Sequence, residues 1–189
     1  MPGVVTLKSR QRRMVDWMNL PNYIYMGIGR TSPWEDEMHP PVPDEKATEV
    51  EELIGLQMID SKHYAKVIPN PTTLDKKSGI YYKGLYYEIT DSREYALEHG
   101  FTSVLVKITL DRDTLEEAIP VGITFRQAGL YVMVNPPLST GGRVPLGITR
   151  AQWDAMSEAD KGMLEVIDNR VPLTRQDDQQ EELITLIDF

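Results

Sequence analysis

Four prolines crowded into the segment from Thr31 to Asp44 set the first limit on this fold. Pro33, Pro40, Pro41 and Pro43 each remove a backbone donor and hold the preceding residue in an extended conformation. Neither a helix nor an interior strand survives that density, so the segment reads as an extended arm. Trp34 lies inside it. A strap of this kind needs a fastening, and the indole is the largest apolar group it has. Two arrangements follow. Either Trp34 enters a neighbouring protein, where its burial contributes on the order of 2 kcal/mol or more, or it packs on its own domain and pins the arm there.

Around the arm, apolar periodicity alternates between the two regular patterns. Residues 5–20 read as a helix with Met14, Val15 and Met18 as its stripe, stopped by Pro21. Tyr23 to Met26 reads as a strand ending at Gly27 and Gly29. Thr48 and Glu51 have capping-box spacing, and Val50, Leu53, Ile54 and Met58 recur at helical intervals. Glu49 to Ile59 is therefore expected to be an amphipathic helix. Tyr64 to Ile68 reads as a strand. Ile80 to Tyr82 and Leu85 to Ile89 flank Lys83-Gly84, the pattern of a hairpin or bulged strand. Asp91 and Glu94 suit the start of a short helix ending at Gly100. Thr102 to Leu110, Gly129 to Val134, Met163 to Ile167 and Leu183 to Phe189 read as further strands. Thr149 and Gln152 form a second capping box ahead of Trp153. About seven to nine strands without regular alternation with helices exclude a doubly wound parallel sheet. The expected class is mainly β (α+β): an antiparallel β-sandwich with short peripheral helices. A single domain over 1–189 is expected, with the helix 5–20 and the arm 31–45 as excursions.

The chain has no cysteine, which excludes disulfides and thiolate metal sites. Met1 to Arg13 is basic and lacks the apolar stretch of a secretory leader, and no apolar run approaches the roughly 20 residues that cross a bilayer. A soluble protein is expected. The net charge of -9 disfavours nucleic acid as a partner. That charge is uneven. Lys8, Arg10, Arg12 and Arg13 make the start basic, whereas Glu35, Asp36, Glu37, Asp44, Glu45, Glu49, Glu51 and Glu52 form an acidic stretch. These are two solvated faces or a bipolar surface suited to complementary neighbours.

Signatures of catalysis are weak. Gly27-Ile28-Gly29 lacks the third glycine and following helix of a dinucleotide turn. Asp111-Arg112-Asp113 is followed by Leu115 and Glu116 where a calcium loop needs an acceptor and a glycine. His39, His63 and His99 are scattered, and surface or hydrogen-bonded roles are expected for each. Carboxylate pairs such as Glu116-Glu117, Asp177-Asp178 and Glu181-Glu182 fit solvated faces better than a glycosidase site. Tyr81, Tyr82, Tyr86 and Tyr87 suit core on one sheet side and interface on the other. No catalytic residue, metal site or cofactor is expected.

Four ordered stretches resemble one family, the baseplate wedge proteins of T-even-type contractile phages. The first is Tyr25-Met26-Gly27-Ile28-Gly29-Arg30-Thr31-Ser32-Pro33-Trp34, followed by acidic residues and Pro40-Pro41. The second runs from Lys107-Ile108-Thr109-Leu110-Asp111 to Glu117-Ala118-Ile119-Pro120-Val121-Gly122. The third is Phe125-Arg126-Gln127 with Asn135-Pro136. The fourth is Met163 to Pro172, with Glu165, Asn169 and Arg170, then a Gln- and Glu-rich turn and a strand closing at Phe189. The chain looks like a shortened member, because the T-even protein carries a large insert around Asp60 to Asp91. The resemblance implies a non-enzymatic structural virion protein made in the host cytoplasm and built into the tail baseplate. Its implied partners are other wedge proteins and a second copy of itself, with no nucleic acid and no membrane. The expected interface residues are Arg30, Pro33, Trp34, Pro40, Pro41, Arg126, Asn135 and Pro136. A neck, connector or tail-completion protein is the alternative, and a tail-associated glycosidase a further one.

Overall fold

The computed structural model describes residues 4–21, 23–69, 71, 79–110, 118–139, 141–176 and 180–189. They form two five-stranded sheets with three short helices, the mainly β, antiparallel class. The elements are α1 (Leu7–Met18), β1 (Tyr23–Gly29), β2 (Gly55–Met58), β3 (Ser61–Ile68), β4 (Gly79–Tyr82), β5 (Leu85–Thr90) and α2 (Arg93–Glu98). Then follow β6 (Ser103–Leu110), β7 (Thr124–Val134), β8 (Gly147–Thr149), α3 (Arg150–Ala155), β9 (Met163–Thr174) and β10 (Glu181–Asp188). The chain divides into two compact units, one from residues 1–20, 60–107 and 184–189, the other from 21–59 and 108–183.

The first unit is built on the sheet order β10-β6-β3-β5-β4. Lys83 and Gly84 both take positive φ (46° and 80°), the double left-handed turn that matches strand twist in a two-residue hairpin between β4 and β5. Ala65, Tyr87 and Leu105 are buried together, with Ile80, Tyr82, Ile89, Ile184 and Leu186 packed around them. Tyr86 and Tyr87 are buried while Tyr81 is 57% exposed, so the tyrosine cluster is divided between interior and surface. Thr6 caps α1, which buries Gln11, Met14, Val15 and Trp17 rather than Met18. The α2 cap is Ser92, not Asp91, whose carboxylate is instead 2.6 Å from His63 Nδ1. Gly100 closes α2 at φ 75°.

The second unit carries the order β8-β2-β1-β7-β9. Its core gathers Tyr25, Val50, Leu53, Leu56, Tyr131, Val134, Ile148 and Trp153. Tyr131 meets Trp153 edge-on at 4.9 Å between centroids. The capping box at Thr149 and Gln152 forms in both directions and sets α3 so that Trp153 points inward.

One expectation fails here. Glu49 to Ile59 is not a helix: residues 50–54 wrap over the sheet as turns and Gly55–Met58 is a strand. Strand β1 ends at Gly29, the second of the two glycines expected to close it. The glycines open the surface on which the wrap lies. A Cβ at Gly27 would stand 2.8 Å from Tyr131 and 3.0 Å from Leu53, and one at Gly29 would stand 2.6 Å from Val50. A helix would also need its donors for itself. Instead the Val50 amide donates to the Tyr131 hydroxyl (2.8 Å) and the Glu51 amide to Gln127 Oε1 (2.6 Å). Glu52 takes φ 46°, where a right-handed helix cannot continue. Strands β7 and β9 run longer than their apolar alternation, since bulges interrupt the pattern at Phe125/Gln127 and Leu130/Tyr131.

Candidate protein interface

Arg30 to Asp44 contains no helix or strand, as the prolines demand. The arm is nonetheless fastened along its length. At its root Arg30 takes φ 53°, and its amide donates to the Glu51 carbonyl at 2.6 Å. The Arg30 guanidinium pairs with the Glu51 carboxylate and lies 3.8 Å over the Trp34 ring. Trp34 takes the second of its two arrangements. It is 7% exposed, and its Nε1 donates to the Arg170 carbonyl on β9 at 3.1 Å.

Arg126, near the start of β7, is the next fastening. Its guanidinium donates side-on to both oxygens of Glu37 (2.7–2.9 Å) and its NH1 to the Thr31 carbonyl (2.6 Å). The Arg126 hydrogen bond and charge hold the Glu37 carboxyl below its ordinary range. Glu52 accepts from the Thr31 amide and hydroxyl (2.9 and 2.6 Å) and from the Ser32 amide (3.0 Å). Hydrogen bonds from Ser32 and Thr31 carry its pKa down from 4.5 to about 2. Farther out, Asn169 Nδ2 donates to the Pro41 carbonyl at 3.0 Å, while Gln127 Nε2 donates to Asn169 Oδ1 at 2.7 Å.

With the inner side so occupied, the outer side sets two apolar side chains among exposed carboxylates. Met38 is 74% and Val42 90% exposed, between prolines of which Pro33 and Pro41 are also exposed. Arg30, Pro33, Trp34, Pro40, Pro41 and Arg126 thus belong to one structure, the arm and its fastenings. Asn135 and Pro136 do not; they follow the opposite end of β7. There the Asn135 side chain and amide both meet Asp160 (2.9 and 2.8 Å), beside a cleft of about 630 Å³ that includes Pro137, Leu138 and Met156.

Sequence reasoning missed Glu37, Glu52, Gln127 and Asn169 as arm-holding residues. The usable signal was the run of carboxylates within and after the arm; that Glu37 meets Arg126, on a strand far along the sequence, depends on folding.

The histidines stay apart, each with a local partner: His39 with Asp36 (2.9 Å), His63 with Asp91, and His99 with the Tyr95 carbonyl (3.0 Å). Among the described residues no three His, Asp or Glu side chains are grouped to hold a metal, and no helix is long and apolar enough to cross a membrane. Asp111-Arg112-Asp113, Glu116-Glu117 and Asp177-Asp178 lie outside the described residues. Glu181 and Glu182 open β10.

A family profile described as "Baseplate wedge 3 tail fiber network component" matches residues 4–189. The chain belongs to this baseplate wedge family. It is similar to "Virion protein 3" of Enterococcus phage phiEF24C, 25% identical over 182 residues that span 93% of this chain and 89% of that protein. Baseplate wedge membership makes the chain a structural virion protein of the phage tail baseplate that acts through protein contacts and not as an enzyme.

Proposed function

We propose that the arm 31–45 is the surface by which this wedge subunit grips its neighbours, and that these include other wedge proteins and a second copy of the chain. Arg30, Trp34 and Arg126 serve the contact from beneath by holding the arm in one shape. Pro33, Pro40 and Pro41 stiffen it, so little further entropy is lost on docking. Asn135 and Pro136 form a second, separate contact region beside their cleft.

One observation carries the reading: Met38 and Val42 are left almost fully in water on a segment whose backbone and charged side chains are fastened down. Apolar side chains held in one shape on a fixed segment suit docking against a partner surface.

Two variants in a complementation assay test it. Met38→Asp with Val42→Asp leaves every inner fastening in place and is expected to fold normally yet fail to support tail assembly. Trp34→Ala unfastens the arm and is expected to give the same defect. If both variants fold, enter the tail and support infection like wild type, the arm is not an assembly surface.

A further inference from the structure

We propose that the cationic cleft between α1 and α2 receives the acidic arm of a second copy of this chain. The inference rests on the self-association proposed above and names the two surfaces that meet.

The cleft, about 340 Å³, is floored by Val15 and Leu97 and edged by Lys8, Arg12 and Arg93, with Asp16 as its one lining carboxylate. Gln11 Nε2 donates to the Leu97 carbonyl at 2.7 Å and ties the two helices together, so the cleft is a built feature rather than a gap between mobile parts. Asp16 stands 3.7 Å from Arg12 in an exposed pair, too loose and too solvated to neutralise it. Lys8 and Arg93 have no ion-pair partner among the described residues. The acids of α2, Glu94 and Glu98, are not among the lining residues. This concentration of positive charge stands against a chain whose net charge is -9.

The arm presents the complementary pattern. Val42, 90% exposed, stands on the extended run Pro40–Pro43, with Glu35 and Asp36 before it and Asp44 and Glu45 after it, all exposed. An apolar tip between carboxylates matches an apolar floor between cations. Two copies that each carry -9 repel at long range, so self-association needs such a local match to overcome the overall field. A contact of this kind weakens with salt.

The experiment is a charge-reversal cycle on the full-length protein, read by sedimentation velocity. Wild type is expected to self-associate at low salt and to dissociate as sodium chloride is raised. Arg12→Glu with Arg93→Glu is expected to weaken self-association by roughly tenfold or more. Glu35→Arg with Glu45→Arg should do the same, while both pairs keep the wild-type melting temperature. Combining all four changes in one chain is expected to restore association to near the wild-type level. A fully monomeric wild type, indifference to either pair, or failure of the four-fold variant to recover overturns the proposal. Complementation by the Met38→Asp/Val42→Asp variant keeps the outcomes apart. If it blocks tail assembly while the cycle shows no coupling, the arm's role in the wedge stands and this contact falls.

Discussion

The Arg126 guanidinium meets the Glu37 carboxylate side-on, with Nε reaching both carboxylate oxygens at 2.9 Å and NH2 one of them at 2.7 Å. One residue belongs to a sheet strand and the other to a segment with no regular structure. The pair converts a flexible strap into part of the scaffold, because a planar fork fixes both distance and orientation. Arg126→Lys keeps the charge and loses the fork. The expected result is an arm cut roughly three- to tenfold faster in limited proteolysis within 31–45, with little change in global melting, since cleavage follows local opening. Unchanged cleavage would show that Trp34 and Asn169 hold the arm without it.

The glycines of β1 and β7 lead to a packing prediction. Val50 sits over both strands: a Cβ at Gly129 would stand 2.5 Å from Val50 Cγ2 and 2.7 Å from Leu164 Cδ1. Both obstacles are side-chain tips, so Gly129→Ala is expected to cost about 1–3 kcal/mol by overpacking. At Gly29 the new Cβ would run into the Glu51 carbonyl, which is backbone and cannot rotate away. Gly29→Ala is expected to cost more than Gly129→Ala. Urea unfolding of the two variants with unchanged m-values checks the order.

These glycines also show why part of the fold was legible and part was not. The hairpin at Lys83-Gly84, the capping box at Thr149 and Gln152, and the strand over Ser103–Leu110 depend on residues a few positions apart, and the sequence displays those directly. Thr48 and Glu51 have the same spacing as Thr149 and Gln152 but form no cap. Glu51 is taken by Arg30 and Gln127, which are near only in the folded chain. Val50 and Leu53, read as one helical face, are the contact points of a wrap whose track is cut by distant glycines. The arm could be foreseen from its prolines. That Trp34 turns inward rather than outward could not, because its acceptor, the Arg170 carbonyl, lies on a strand far along the sequence.

Acid should loosen the root of the arm before it unfolds the sheets. The Glu52 carboxyl falls from 4.5 to about 2 because Ser32 and Thr31 donate to its charged form. A depressed folded-state pKa means that the contribution is full above about 4.5 and is lost as pH falls toward about 2. Glu52→Gln is expected to reproduce the loosened state at neutral pH and to remove this part of the acid response. Amide hydrogen exchange at Thr31 and Ser32 between pH 5 and 2, corrected for intrinsic rates, reads it. Equal protection in wild type and variant at neutral pH would show that the carboxylate does not hold these amides.

Glu165 gives the opposite sign. It lies on β9, an edge strand of its sheet, and burial alone pushes its carboxyl above the ordinary 4.5. A folded state that favours the protonated acid gains stability as pH falls through that raised value and loses it as pH rises. At neutral pH the ionised form is therefore a cost, reduced by its remaining exposure to water. Glu165→Gln keeps the shape and removes the charge. It is expected to raise the melting temperature at pH 7 by on the order of 1–2 °C and to make no difference near pH 4. A variant that melts lower at pH 7 would mean that the charge on Glu165 is stabilising, and burial would then not be what governs its titration.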